Sequence, residues 1–531
     1  MLHTSTNLTS AQSIVDVLQA VIEKSAAHIA SWATDEDQTV AYDLASMSSA
    51  VAAAAELLRH GTGEEAEADL ALVYAADVAA DLSGRLTGRE ALWGVAPTEL
   101  AGIADQVAAG RDPALLDRVA ERVLASSEAG PRHLSEDLQL VRSTFRKFAE
   151  DRILPVAERI HREDEDIPAE IIEGLAEMGC FGLSIPAEYG GSAEGGADEL
   201  LSMVVVTEEL SQASLGAAGS LITRPEIIGT AIARGGTEEQ KQRWLPGIAA
   251  GEKLCGVAVT EPDYGSDVAG VTTRAVRDGD DWVLTGVKTW CTFAGRANYL
   301  LVLARTNEDR TVGHRGLSLF VVEKPSFPGH EWSMAQEGGG TIEGRAIRTL
   351  GYRGMHSYEV RFDRWRVPAT DLIGMDDGLG RGFYLQMQAF ANARLQTAAR
   401  AVGVMQSALG LAVDYTRERS VFGRPLAGYQ LTRVKIARMA ALVAACRAFA
   451  FSAARAVTAN GGQLEASQVK QLACRAAEWV TREAQQLHGG YGYAEEYTVS
   501  RLFVDARVLS IFEGADEVLA LRVIARQLTK A

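Results

Sequence analysis

The 531-residue chain carries 52 Lys and Arg against 70 Asp and Glu, a formal net charge of -18 at pH 7. That balance disfavours nucleic acid and anionic membrane surfaces as partners, since both call for a basic face. Hydrophobic residues at 47% and charged residues at 23% exclude a disordered or fibrous chain, and the length suits several domains.

Five cysteines, Cys180, Cys255, Cys291, Cys446 and Cys474, are odd in number and include no C-x-x-C pair. This is the usage of reduced thiols, so neither a disulfide framework nor a metal site is expected. The start MLHTSTNLTSAQ has no basic segment ahead of an apolar core, and no stretch approaches ~18 uncharged apolar residues. A cytoplasmic location is the default expectation.

In chain order, residues from about 10 to 125 read as helices, with Ile14, Val15, Leu18, Val21, Ile22 and Ile29 at helical spacing. Asp112-Pro113 supplies a cap followed by proline at the first helical position. The acidic runs Asp35–Asp37 and Glu64–Asp69 read as solvated helix faces. SSEAGPR, ending at Arg132, is a linker candidate, and Ser135 with Glu136 and Asp137 opens the next helix. Helical spacing then runs to about Gly251, broken by the loop of Gly190, Gly191, Gly195 and Gly196.

From about Cys255 to Val367 the period becomes that of strands, with a hairpin signal at Asp278-Gly279. Helical spacing returns after Gly382. The expected domains are 1–132 (helical extension), 133–254 (helical), 255–370 (β) and 371–531 (helical). The β segment is too small for a doubly wound nucleotide fold, and neither G-x-G-x-x-G nor a phosphate-binding P-loop is present.

Five segments stand out, each with a plain alternative. VAVTEPDYGSD ends a strand at Val259 and Thr260, and Gly265 and Ser266 allow close approach of backbone and hydroxyl to a ligand, or merely form a turn. Trp290 and Thr292, two apart on a strand, should share a face and suit a planar ring that needs one hydrogen bond, although a strand Trp is often core. RERSVFGRPLAGYQ offers Arg419, Phe422 and Gln430, where the arginine suits a diphosphate or a helix end. QQLHGGYGY places Gln486 before Gly489 and Gly490, a ligand-hugging or helix-breaking turn. SIFEGADEV sets Glu513 between apolar residues and Gly514, as a base or a surface charge.

Together, in this order, the segments resemble the acyl-CoA dehydrogenase family from about His133 to the C-terminus. The resemblance implies a mainly α fold: a helical domain, a β-barrel-like middle domain and a C-terminal four-helix bundle, here with an added N-terminal helical extension. It implies FAD bound without a Rossmann motif, through Val259, Thr260, Gly265, Ser266, Trp290, Thr292, Arg419, Phe422, Gln430, Gln486, Gly489, Gly490 and Glu517. The segments RSVFGRPL and QLHGGYGY look like those that reach a neighbouring subunit's FAD, which implies a homo-oligomer, a dimer or tetramer. The expected electron acceptor is an electron-transfer flavoprotein.

The resemblance makes Glu513 the base that removes the α-proton of an acyl-CoA, with the β-hydride passing to flavin N5. The alternative base position of the isovaleryl branch is Ala393 here. Ser266, Arg394, Gly514, Thr223 and Arg224 fall to the substrate. Two departures are Ala515, where many members have Thr, and Ala391, where medium-chain members have an acidic contact. The extension and the stretch GGGTIEGRAIRTLGYRGMHSYEVRFD look most like the branch acting on (2S)-methylsuccinyl-CoA, which gives mesaconyl-CoA in the ethylmalonyl-CoA route. A substrate with a free carboxylate needs a buried cation, and Arg224 is the candidate, against a surface role. Short- or branched-chain dehydrogenases, acyl-CoA oxidases and a non-catalytic flavin-binding scaffold are the alternatives.

Overall fold

The structure, a computed structural model, describes residues 2–30, 37–61, 63–193, 197–457 and 461–530. Asp35 and Glu36 of the first acidic run, and Gly195 and Gly196 of the glycine loop, lie outside the described residues. The chain divides into two compact units, residues 1–145, 204–212 and 397–531, and residues 146–203 and 213–396.

The first unit is helical. Its N-terminal helices are α1 (Leu2–Ile29), α2 (Gln38–His60), α3 (Glu65–Leu86) and α4 (Pro113–Ser126). Asp112 caps α4 as expected, its carboxylate accepting the Ala114 N–H at 2.7 Å. Later in the chain come α5 (Ala197–Ala213), which gives residues 204–212 to this unit, and α6 (Thr223–Gly235), which belongs to the other. The C-terminal helices are α7 (Gly382–Glu418, from Thr397 in this unit), α8 (Gln430–Ala456), α9 (Gln463–His488) and α10 (Thr498–Leu509). Among the described residues α8 is the one helix long and apolar enough to cross a membrane, and 83% of its apolar window is buried. It is a core helix.

Helix α2 explains how the extension joins this core. Its sequence is rich in Ala and Ser, so its backbone can approach closely, and its hydroxyls meet amides of α9. Ser49 donates to Gln471 at 3.1 Å, and Gln471 and Gln468 donate back to Ser46 and Ser48 at 3.2 Å. Ala41 and Ala45 pack on Ala520, Ile524 and Ala525, and the Tyr42 hydroxyl donates to Asp516.

Two sequence expectations are corrected here. The run Glu64–Asp69 is no solvated face, because Glu67 and Asp69 are buried. Asp69 pairs with Arg122 at 2.7 Å and Arg118 at 3.5 Å, and Glu67 pairs with His133. Burial without those partners would be prohibitive, and the partners lie some 50 residues or more downstream, beyond any local pattern. Nor is SSEAGPR a free linker, since Arg132 is buried. It binds Glu208 of α5 at 3.1 Å and Glu128 at 2.8 Å. Arg447 of α8 meets the same Glu208 at 2.9 Å and also donates to Gln406 of α7. Burial alone would raise the Glu208 carboxyl, but Arg447 and Arg132 overcome it and hold it below the usual carboxylate range.

The second unit contains the strands β1 (Cys255–Ala258), β2 (Arg274–Asp278), β3 (Asp281–Thr292), β4 (Tyr299–Arg305), β5 (Leu317–Glu323), β6 (Glu331–Ala335), β7 (Thr341–Ile347) and β8 (Ser357–Pro368). They form one sheet in the order β1-β4-β2-β3-β8-β7-β6, with β5 on β4. The hairpin lies one residue on from the sequence reading: Asp278 pairs with Asp281, so Gly279 and Asp280 form the turn, with Gly279 at φ +64°. Every strand gives side chains to one apolar cluster, from Ala258 and Trp282 to Phe362, which is the barrel-like interior. On β4 the alternate residues Leu301 and Leu303 turn the other way and pack with Ile228 and Ile232 of α6 and with Trp244. The strand is buried on both faces, which is why it reads as an unbroken apolar run.

Removing the shared carboxylate should expose the weight of the arginine cluster. Glu208→Ala leaves two buried guanidinium groups short of their counter-charge, a loss of about 3–5 kcal/mol. The melting temperature should fall by about 5 °C or more. Glu208→Leu combined with Arg447→Met should recover much of it, and a single variant melting like the wild type would contradict this account.

Candidate functional site

In the second unit, β1 runs out into Val259 and Thr260. The Val259 carbonyl accepts from Lys288 Nζ at 2.9 Å, and the Thr260 carbonyl accepts the Thr289 N–H at 2.8 Å. This lays the strand end directly against the Thr289–Trp290 stretch of β3. Fully buried Lys288 also holds Glu261 at 2.9 Å. Glu261 accepts further from the Thr272 N–H (2.7 Å) and the Thr273 N–H (2.8 Å), closing the loop that carries Gly265 and Ser266. Burial would raise the Glu261 carboxyl, but Lys288 and these donors hold it down at about 2. Gly265 and Ser266 are exposed at the rim of this stapled loop.

Trp290 and Thr292 do not keep the simple alternation expected of them. The pairing of β3 with β8 shifts register between Lys288 and Cys291, and Trp290 takes φ +57°. The indole is 55% exposed while Thr292 is 6% exposed, its hydroxyl 3.0 Å from Ser357. A bulge aims the flat ring outward and leaves the threonine fixed beside it. Strand-period reasoning cannot see an inserted residue.

Thr223 and Arg224 start α6, and both are buried, Arg224 at 5% exposure, so the surface alternative for Arg224 fails. Burial pushes the Cys291 thiol up to about 12, and the charges of Lys288 and Arg224 oppose that rise. The Thr223 hydroxyl is buried without a hydrogen-bond partner. One turn on, Glu226 accepts from Asn392 Nδ2 at 2.6 Å and from Thr230 at 3.3 Å, while its second oxygen is buried and unbonded. Sequence reasoning missed Glu226. A carboxylate two residues from the candidate substrate arginine was the available signal. The Asn392 contact also brings the neighbouring Arg394 and Ala393 positions to this end of α6, where Glu226 supplies a carboxylate and Ala393 supplies none.

In the first unit, Glu513 lies in the left-handed region at φ +55°, followed by Gly514 at φ +100°. A non-glycine residue rarely adopts this backbone, and such outliers gather at functional sites. Three contacts fix the loop. Lys470 Nζ donates to the Gly514 carbonyl at 2.6 Å, the Asp516 N–H donates to the Ser510 carbonyl at 3.1 Å, and the Arg400 guanidinium covers the Phe512 ring at 4.8 Å. Glu517 follows on the exposed side.

The other two segments of this unit come together. Tyr415 stacks on His488 with ring centroids 4.3 Å apart, and Arg419 follows the same helix end. His488 in turn meets the edge of Tyr497, which packs against Tyr491 just past Gly489 and Gly490. A side chain at either glycine would point into open space. Arg419, Gln430 and Gln486 are exposed, and Phe422, at the tip of the small hairpin of β9 (Ser420–Val421) and β10 (Arg424–Pro425), is 99% exposed.

The second unit thus presents an outward indole, a neighbouring threonine and a glycine–serine rim, features that suit a planar ring, and the first unit separately presents a glycine turn beside an exposed arginine, which suits a phosphate.

Three family models match the chain: the acyl-CoA dehydrogenase N-terminal domain at residues 135–252, the middle domain at 256–365 and the C-terminal domain at 380–529. A (2S)-methylsuccinyl-CoA dehydrogenase of Cereibacter sphaeroides is 46% identical over 402 residues, 75% of this chain and 71% of that protein. The solved butyryl-CoA dehydrogenase of Megasphaera elsdenii is 30% identical with a TM-score of 0.68, covering 75% of this chain and 100% of that one. A glutaryl-CoA dehydrogenase of Mycobacterium smegmatis, solved in complex with FADH2, is 28% identical with a TM-score of 0.64, covering 75% and 96%.

Glu226 generates a prediction of its own. Burial raises its carboxyl from 4.5 to about 7, against the pull of Asn392 and Thr230, while Glu199 adds to the rise and Arg234 opposes it. The folded chain therefore holds this proton more tightly than the unfolded one. Stability should decline as pH rises from about 4.5 to about 7, reaching a deficit of up to about 3 kcal/mol above that range. Glu226→Gln removes the titration, so its melting temperature relative to wild type should rise between pH 5 and pH 8. A pH-independent difference would refute the assignment.

Proposed function

The chain belongs to the acyl-CoA dehydrogenase family, and from that premise we propose that it oxidises a short branched acyl-CoA with a free carboxylate, (2S)-methylsuccinyl-CoA, to mesaconyl-CoA. Membership makes it an FAD-dependent oxidoreductase acting on acyl-CoA. The observation that carries the finer reading is the buried Arg224 in the first turn of α6, on a chain 46% identical to a dehydrogenase of that substrate.

In this reading Glu513 removes the α-proton. Its left-handed backbone and the Lys470 contact to Gly514 hold the carboxylate and its own N–H in a fixed relation. The N–H stabilises the charge that develops on the thioester oxygen as the proton leaves. FAD, when bound, supplies the hydride acceptor at N5, a chemistry no side chain here offers. Val259, Thr260, Gly265, Ser266, Trp290, Thr292 and Glu517 are its proposed contacts, and Arg419, Phe422, Gln430, Gln486, Gly489 and Gly490 those to the FAD of a neighbouring subunit. Thr223, Arg224, Arg394, Ser266 and Gly514 would hold the acyl-CoA. Arg224 compensates the substrate carboxylate, whose burial without a cation is prohibitive.

The fully exposed Phe422, with exposed Leu431 and Tyr493, supports a homo-oligomer in which this face of the first unit is covered. An electron-transfer flavoprotein is the proposed electron acceptor, and the cytoplasm the proposed location.

Glu513→Gln should lower kcat about 10²–10⁴-fold while acyl-CoA still binds. Near wild-type turnover would remove Glu513 from its role. Arg224→Gln should raise KM for methylsuccinyl-CoA about 10-fold or more and leave KM for isobutyryl-CoA little changed. Equal effects on both substrates would show that Arg224 does not read the carboxylate.

A further inference from the structure

Away from these residues, the second unit gathers two histidines and two aspartates from three separate segments. Asp164 ends the helix Leu154–Glu163, Asp166 follows two residues later, His330 enters β6 and His356 enters β8. His330 Nε2 lies 3.3 Å from Asp164 Oδ2, and His356 Nδ1 lies 3.6 Å from Asp164 Oδ1. One donor atom from each of Asp164, His330 and His356 falls within 4.8 Å of the other two. On the far side of the same imidazole, His356 Nε2 lies 3.1 Å from Asp166 Oδ1, and Asp166 is fixed by the Gly329 N–H at 2.6 Å.

The arrangement has the two shells of a built metal site. Donors at zinc–nitrogen and zinc–oxygen distances in a tetrahedron stand about 3.3 Å apart, and the two histidine-to-carboxylate separations, one to each oxygen of Asp164, are 3.3 Å and 3.6 Å. A ligating imidazole commonly gives its other nitrogen to a carboxylate, which is where Asp166 sits. Two rings whose centroids are only 4.4 Å apart both direct a nitrogen at one carboxylate. Asp164 and His356 both take left-handed backbones, φ +54° and +44°, at the positions where they meet. Arg353 approaches Asp164 at 3.8 Å, but its guanidinium donates to the carbonyls of Thr349 and His161.

We propose that Asp164, His330 and His356 bind a divalent transition cation of the zinc type, with Asp166 as the outer carboxylate that orients His356. Mixed imidazole and carboxylate donors select such a cation over Mg²⁺ or Ca²⁺. The partly exposed His330 leaves the remaining position to water. The cation would tie the end of one helix to the entrances of two strands. The residue after His356 is Ser357, whose hydroxyl meets Thr292, so the tie would stiffen the stretch that carries Trp290. Cysteine spacing gave no hint of this, because the donors are spread over almost 200 residues.

The test is Zn²⁺ titration of the full-length flavoprotein after chelator treatment, read by calorimetry, bound-metal analysis and thermal melting. We expect one equivalent per chain at submicromolar Kd and a melting temperature raised by about 5 °C at saturating metal. His330→Ala, at a partly exposed position, should melt like metal-free wild type and lose the binding. Asp166→Asn should weaken it about 10–100-fold. The proposal is overturned if no saturable binding appears below about 100 μM, or if His330→Ala binds as wild type does.

Discussion

The first unit hinges on one buried carboxylate. Glu208 sits on a short stretch of α5 and is met by Arg132, at the end of the N-terminal extension, and by Arg447 of α8, which in turn holds Gln406 of α7. Four stretches of chain thus depend on one negative charge. None of these groups could be buried alone, and together they bring a distant N-terminal segment into register with the C-terminal helices. The adjacent Glu209 is raised by burial and by the charge of Glu208, and Arg142 partners it at 2.8 Å.

The second unit applies the same device to the proposed cofactor rim. Lys288 and Glu261 are buried together, and the backbone N–H groups of Thr272 and Thr273 complete the carboxylate's shell. Arg305 adds a second anchor, donating to the carbonyls of Ala269 and Val271 at the far end of the loop bearing Gly265 and Ser266. The bulge that turns Trp290 outward begins just after Lys288, so the charge pair also anchors the departure from regular pleating.

Local signals were legible where local physics decides. The Asp112-Pro113 cap, the strand segment beginning at Cys255 and the doubly buried run of β4 follow from chemistry within a few residues. The family resemblance, carried by the spacing of five segments, reached the fold and the enzyme class. What escaped were consequences of distant pairing. Glu67 and Asp69 looked solvated because their partners His133 and Arg122 are far along the chain, and Arg132 looked like a linker residue because Glu208 is 76 residues away. Glu226 escaped because its raised carboxyl depends on burial, which sequence does not state. Trp290 was read on the wrong premise, since an inserted residue leaves no mark in a period-two pattern.

The contact between Tyr42 and Asp516 spans 474 positions, and the serines of α2 meet glutamines more than 400 residues later. Chain emerges from the ribosome at roughly 5–20 residues per second, so α2 is complete about 20–100 s before its partners exist. Its alanine-rich face must wait uncovered through that interval. The helices of the extension therefore complete their packing only once the C-terminal helices have been made.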